Sequence, residues 1–310
     1  MSFSYKLKRT LQAVRQPGEA GKIVRQKINR TWLNVKSRLY WDKYCDTIRE
    51  PKRKYAVPHT EVQDKVIDDL IKNGFDLRDF QIDVADYKDY IKRAAYSQYA
   101  GYAGGSSAKH FTEKSLEHYL ATKALNLSND DIFIDVANAG SPVPDIYNRL
   151  FGCKVYRQDL IFPEGVNGNT IGGDACKMPI EDGFATAMSL HCSFEHFEQD
   201  VDMRFIREAN RVLAKGGKLC IVPFYLHAEY SIQTDPVVLP KGGISFESGA
   251  VVHCAKGWRN RHGRCYDVPH LISRIVNNLG DLKLTIYVVK NEKQVDPSCY
   301  VKFIGLFEKQ

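Results

Sequence analysis

The chain has 310 residues, 44% of them apolar and 26% charged, with a net charge of +7. That composition fits a globular protein of one large domain with an extension, or two modest ones, and excludes low-complexity and fibrous classes. No run of about 18 apolar residues occurs and the N-terminus lacks the apolar core of a secretory signal, which points to a cytoplasmic protein.

The charge is unevenly placed. Residues 1–60 hold 15 Lys and Arg against Glu19, Asp42, Asp46 and Glu50, a balance of +11 that leaves −4 for residues 61–310. Basic residues alternate there with Ile23, Val24, Ile28, Trp32, Leu33, Val35, Leu39, Tyr40 and Trp41. Such a pattern predicts amphipathic helices that either lie peripherally on an anionic membrane or polyanion, or dock an apolar face on their own domain. Arg49-Glu50-Pro51 breaks this region. A helix is expected from Glu61 to Asn73, stopped by Gly74.

Tyr96, Tyr99 and Tyr102 then lead into a flexible Gly101–Ser107 stretch, and Thr112 is the expected N-cap of the next helix. Strands are expected at 132–136, 154–157, 185–190 and 219–224, alternating with helices, the pattern of a parallel sheet covered on both faces. An amphipathic helix runs through Phe205, Ile206, Ala209, Val212 and Leu213, with Gly216-Gly217 as its stop. Residues 282–289 and 300–307 alternate as an antiparallel pair. The eight cysteines include no C-x-x-C pair, which predicts reduced thiols and no metal site.

Taken in order, Asp174-Ala175, Met178-Pro179-Ile180, Phe184, Phe194-Glu195-His196-Phe197 and Glu208-x-x-Arg211-Val212-Leu213-x-x-Gly216-Gly217 resemble the later half of class I S-adenosylmethionine (SAM)-dependent methyltransferases of the type 11 group. The resemblance implies a doubly wound, mostly parallel seven-stranded α/β sheet, a Rossmann-like methyltransferase fold, with a helical N-terminal extension. It places the extension at 1–105 and the methyltransferase domain at 106–310, with an insertion at about 225–269.

By the same resemblance the first strand ends at Asp135 and leads into the cofactor loop. That loop has Ala137, Ala139 and Ser141 where the family usually has glycine, with Gly140 retained. Alanine and serine lack glycine's tolerance of positive φ, which leaves the loop's geometry open at this point. The implied SAM contacts are Asp135, Ala137 and Gly140, with Asp159 on the ribose hydroxyls and Asp174-Ala175 at adenine. A carboxylate suits the ribose because it accepts two hydrogen bonds at once, although Asp174 also reads as a helix cap.

Methyl transfer to a hydroxyl needs a group that removes a proton, and His191, His196 and His227 are the candidates. The aromatic, Arg-rich insertion with Arg259, Arg261 and Arg264 fits a glycan or another polar, anionic acceptor. O-methylation of such an acceptor is therefore expected. The alternative is a catalytically silent methyltransferase-like module that binds a partner or membrane through the basic arm. A nicotinamide dehydrogenase is disfavoured because no G-x-G-x-x-G opens the first helix, and no motif of amino-directed nucleic-acid methylation is present.

Overall fold

A computed structural model describes residues 19–48, 53–54, 63–99, 110–241 and 243–310, with side chains from residue 28 onward. The aromatic, glycine-rich stretch after Tyr99 and much of the basic arm lie outside the described residues. The contacts divide the chain into two compact units, one from residues 1–58 and 232–263, the other from residues 59–231 and 264–310. This differs from the division expected at residue 105. The N-terminal extension gives its residues after 58 to the larger unit, and the insertion belongs with the basic arm.

The larger unit holds α2 (Gln63–Lys72), β2 (Asp76–Phe80), α3 (Val84–Ala94), α4 (Phe111–Leu125), β3 (Ile132–Val136), α5 (Val143–Phe151), β4 (Lys154–Asp159), β5 (Gly165–Asn167), β6 (Thr170–Gly172), β7 (Ala185–His191), α6 (Val201–Val212), β8 (Leu213–Val222), α7 (Val268–Arg274), β12 (Leu282–Val289), α8 (Glu292–Val295) and β13 (Phe303–Lys309). Its sheet runs β2-β12-β13-β8-β7-β3-β4-β6-β5. Pairing is antiparallel for β12–β13, β13–β8 and β5–β6 and parallel elsewhere. The seven expected strands form the interior of this sheet, and β2 and β5 extend it by one strand at each edge. Phe133, Ile134, Met188, Leu190, Leu219 and Ile221 are essentially inaccessible, as central parallel strands buried on both faces require.

Three local expectations need correction. α4 starts at Phe111 with His110 at the cap position, so Thr112 is not the N-cap and lies inside the first turn. α6 ends at Val212 rather than at the glycine pair, because Leu213 already pairs with Ala185. Gly216-Gly217 forms a bulge in β8 before Lys218 rejoins the ladder opposite Ala187. Gly216 has φ +76°, and a Cβ on Gly217 would sit 2.8 Å from the Ala214 carbonyl oxygen, so side chains are excluded there.

The smaller unit holds α1 (Glu19–Cys45), β1 (Arg53–Lys54), β9 (Ser231–Thr234), β10 (Val251–Cys254) and β11 (Gly263–Cys265), in sheet order β1-β10-β9-β11. The chain passes between the units through β9 and β11. A small core of Trp41, Cys45, Ile48, Val237, Val252 and Cys254, flanked by Leu33, Tyr44 and Phe246, holds α1 against the insertion. Asp235 organises the insertion by accepting from the backbone N–H groups of Val237, Gly257 and Arg259. Among the described residues, no helix is long and apolar enough to cross a membrane.

Candidate functional site

The carboxyl ends of β3, β4 and β6 converge in the larger unit, where open α/β sheets place their ligands. The loop after β3 is built by local hydrogen bonds. The Asn138 side chain donates to Asp135 (2.7 Å) and to the Ser141 carbonyl (3.0 Å), and it accepts from Gly140 N–H (3.1 Å). Gln158 accepts from Ala137 and Asn138 N–H, and the Asp159 carboxylate accepts from Ala139 N–H at 2.7 Å. Ala137, Ala139 and Gly140 have φ of +53°, +47° and +82°. The loop thus keeps a left-handed backbone at two alanines, which answers the question that their sequence raised. A Cβ on Gly140 would meet nothing within 4 Å, so the loop faces open space.

Asp159 lies at the end of β4. Its second oxygen accepts from Ile161 N–H at 3.0 Å, which fixes the carboxylate toward the loop. The next two side chains, Leu160 and Ile161, are 76% and 69% exposed. Two large apolar side chains turned outward beside a buried carboxylate were not singled out from the sequence. The available signal was an apolar pair directly after a strand-ending Asp.

Asp174 is half exposed; one oxygen accepts from Cys176 N–H (2.9 Å) and the other lies 3.5 Å from Arg204. It thus makes a cap-like turn while staying half exposed, and Ala175 beside it is buried. The following turn is clamped by α6. Glu208 accepts from Met178 N–H at 2.6 Å, while Arg211 donates to the Met178 and Ile180 carbonyls and pairs with Glu208 and Asp182. This clamp explains the Glu-x-x-Arg spacing physically: two charged groups one helical turn apart grip one loop from the same side.

Asp135 does not face the open space. It is 2% exposed, and burial raises its carboxyl to about 7, against hydrogen bonds from Asn138 and Ser189. His191 Nε2 bonds Ser189 Oγ at 2.8 Å and lies 3.8 Å from Asp135. Burial, with Lys114 adding to it, depresses the His191 ring to about 3, and its edge meets the face of His118 at 4.8 Å. A ring so reluctant to charge is a poor proton acceptor near neutrality. His196 is partly exposed, 3.6 Å from Glu195. His227 is held by Glu229 N–H and forms no hydrogen bond or ion pair with the other candidates.

A second group, a cluster of buried polar side chains, gathers beyond β7 and β8. Glu117, fully buried on α4, pairs with Lys114 at 3.0 Å; burial pushes its carboxyl up to about 8 while Lys114 opposes the shift. Cys192 has φ +50° and lies 3.3 Å from the Tyr225 hydroxyl and 3.9 Å from that of Tyr300. Its thiol is raised well above the ordinary range by burial, with Glu195 and Glu117 adding to the effect, which rules it out as a neutral-pH nucleophile. Tyr300 N–H donates to Glu113 at 2.9 Å. Glu113, Lys114 and Glu117 carry little signal in the sequence, because charged side chains on an ordinary helix read as a solvated face, whereas α4 is buried on nearly every side.

Arg264 and Arg259 of the insertion are each engaged by partners in their own unit. Arg264 is fully buried, 2.9 Å from fully buried Asp202, and donates to the Phe197 and Gln199 carbonyls; it is structural rather than an anion contact. Arg274 and the Tyr266 hydroxyl complete the bonding of Asp202. Arg259 donates to Asn34 at 2.6 Å within the smaller unit.

Residues 153–221, spanning β4 to β8, match the family model described as "Methyltransferase domain". Solved structures of similar shape include 1,6-didemethyltoxoflavin-N1-methyltransferase of Burkholderia thailandensis with bound 1,6-didemethyltoxoflavin and S-adenosylhomocysteine. It is 9% identical over 76% of this chain and 94% of that one, with a TM-score of 0.45. Geranyl diphosphate C-methyltransferase of Streptomyces coelicolor A3(2) is 11% identical over 67% and 88% of the two chains, with a TM-score of 0.38. No curated protein matches the chain. Residues 153–221 are thus similar to a methyltransferase domain, and the matched segment begins after the altered glycine loop.

Proposed function

We propose that the protein binds SAM at the loop after β3 and transfers its methyl group to an oxygen of a glycan or other polar metabolite. The observation that carries the reading is the Asp159 carboxylate bonded to Ala139 N–H, beneath a loop whose backbone stays left-handed at both alanines. That arrangement leaves the loop open toward a ligand and aims a carboxylate at its edge. In this reading Ala137 and Gly140 approach the methionine and ribose portions, Asp159 accepts from the ribose hydroxyls, and Asp174 with Ala175 N–H reads the adenine edge. Asp135 supports the loop from beneath, and Leu160 and Ile161 cover the adenine ring. When bound, SAM supplies a methyl group on a sulfonium leaving group.

The chain's own task is then to align the acceptor oxygen and remove its proton. Tyr225, Tyr300 and Lys114 donate toward a polar acceptor. Of the three histidines, His196 is assigned as the proton acceptor on its position, partly exposed and 3.6 Å from Glu195. His191 holds Ser189 and Asp135 in place, and His227 sits on the segment after β8. The free thiols and basic arm fit a cytoplasmic protein.

Calorimetric titration with SAM tests the assignment. Asp159→Ala and Asp174→Ala should each weaken binding by about tenfold or more, the loss of a charge-assisted hydrogen bond. Unchanged affinity in both would overturn the pocket. Absence of SAM binding by the wild type would instead favour the silent binding module.

A further inference from the structure

α1 carries two apolar faces. Leu33, Trp41, Tyr44 and Cys45 are turned into the smaller unit's core. Ile28, Trp32, Val35 and Leu39 are 41%, 56%, 37% and 67% exposed. At about 100° per residue, these four fall within a stripe about 60° wide, opposite the packed face. Lys36 and Lys43 flank the stripe on one side and Arg38 on the other, exposed Asp42 ends it one turn after Leu39, and Tyr40, 47% exposed, lies beyond the lysine side. A contiguous exposed stripe of this kind on a folded helix marks an interaction surface.

The charges choose the occupant. The spacing of four, three and four residues resembles a coiled-coil seam, but the flanking positions that would pair across two copies are Lys36, Arg38 and Lys43. Two copies would therefore set like charges against each other in either orientation. The stripe also spans under two heptads, short of the roughly three to four that sustain a coiled coil. An anionic lipid surface suits the stripe and its three cations, which outnumber Asp42 at its end: apolar side chains enter the acyl boundary, Trp32 and Tyr40 sit at headgroup level, and the flanking cations reach outward to phosphate.

We propose that α1 docks the protein on anionic membrane through Ile28, Trp32, Val35 and Leu39, with Lys36, Arg38 and Lys43 as its electrostatic rim. The test uses the full chain with vesicles of equimolar phosphatidylcholine and phosphatidylglycerol, and with phosphatidylcholine vesicles alone, read by co-sedimentation. Wild type should partition to the anionic vesicles alone, and less so at high salt. Trp32→Ser with Leu39→Ser should lower partitioning about tenfold or more, because both side chains supply buried apolar area only on the membrane. Lys36→Gln, Arg38→Gln and Lys43→Gln together should flatten the salt dependence. An unchanged thermal transition shows that the variants are folded. Equal partitioning by wild type and the Trp32/Leu39 variant would overturn the proposal. So would a failure of wild type to bind either vesicle, or a dimer in solution that the same two substitutions abolish.

Discussion

The loop after β3 makes a quantitative prediction. Ala137 and Ala139 both hold φ near +50°, and Ala139 is exposed, so its methyl group contributes little packing. A left-handed L-residue costs about 1–2 kcal/mol, whereas glycine adopts that backbone freely. Against this, each glycine adds about 0.5–1 kcal/mol of unfolded-state entropy. Ala137→Gly with Ala139→Gly should therefore stabilise the protein by about 1–2 kcal/mol in all. With an unfolding entropy of about 2.1 cal/mol/K per residue over 310 residues, the midpoint should rise by about 2–3 °C. Scanning calorimetry of the apo protein measures this directly. Ala121→Gly is the control, since Ala121 is buried inside α4 and its replacement should cost about 1 kcal/mol or more. If the double loop variant melts below wild type as the control does, the left-handed alanines are not strained and the reasoning fails.

Three further predictions follow from buried charge and exposed apolar surface. Asp202→Ala leaves Arg264 buried without its carboxylate and should cost about 3–5 kcal/mol, read as a lower urea midpoint. Lys114→Met removes the group that holds the Glu117 carboxyl down, so its pKa in the folded state rises further above the unfolded value of about 4.3. Above about pH 8 the folded variant then retains a proton that folded wild type releases, so relative to wild type it should lose about 1.4 kcal/mol per pH unit there, with no divergence between pH 5 and 7. A pH-independent deficit would contradict this. Leu160→Ala with Ile161→Ala should weaken SAM binding by about fivefold or more while leaving the melting temperature unchanged, since both side chains are solvent-exposed.

The sequence announced regular elements better than the contacts among them. β3 and β12 have the residue limits expected from their apolar runs, because a buried parallel strand and an alternating antiparallel pair leave clear local patterns. α6 and the glycine pair were harder: five apolar positions fit a helix, but pairing of Leu213 with Ala185 ended it early and put Gly216-Gly217 in a bulge. Asp159 and Asp174 could be located from strand ends. The burial of Asp135 and His191 could not, because it depends on α4 crossing beneath them, where His118 meets the His191 ring. Lys114 and Glu117 were hidden for the same reason, since a one-dimensional pattern does not show a helix enclosed on both sides. Arg264 looked like an anion contact until Asp202, distant in sequence, neutralised it.

The smaller unit also constrains the order of events during synthesis. Cys45 and Trp41 on α1 share a core with Val252 and Cys254, about 200 residues later in the chain. At roughly 5–20 residues per second, the ribosome leaves that face of α1 without its partners for about 10–40 s. Throughout that interval the nascent helix presents apolar surface on both sides, one side awaiting β10 and the other left exposed among the described residues. Its earliest companions are therefore whatever the cell offers at the exit tunnel, and a chaperone or the membrane itself can reach α1 well before the large sheet is complete.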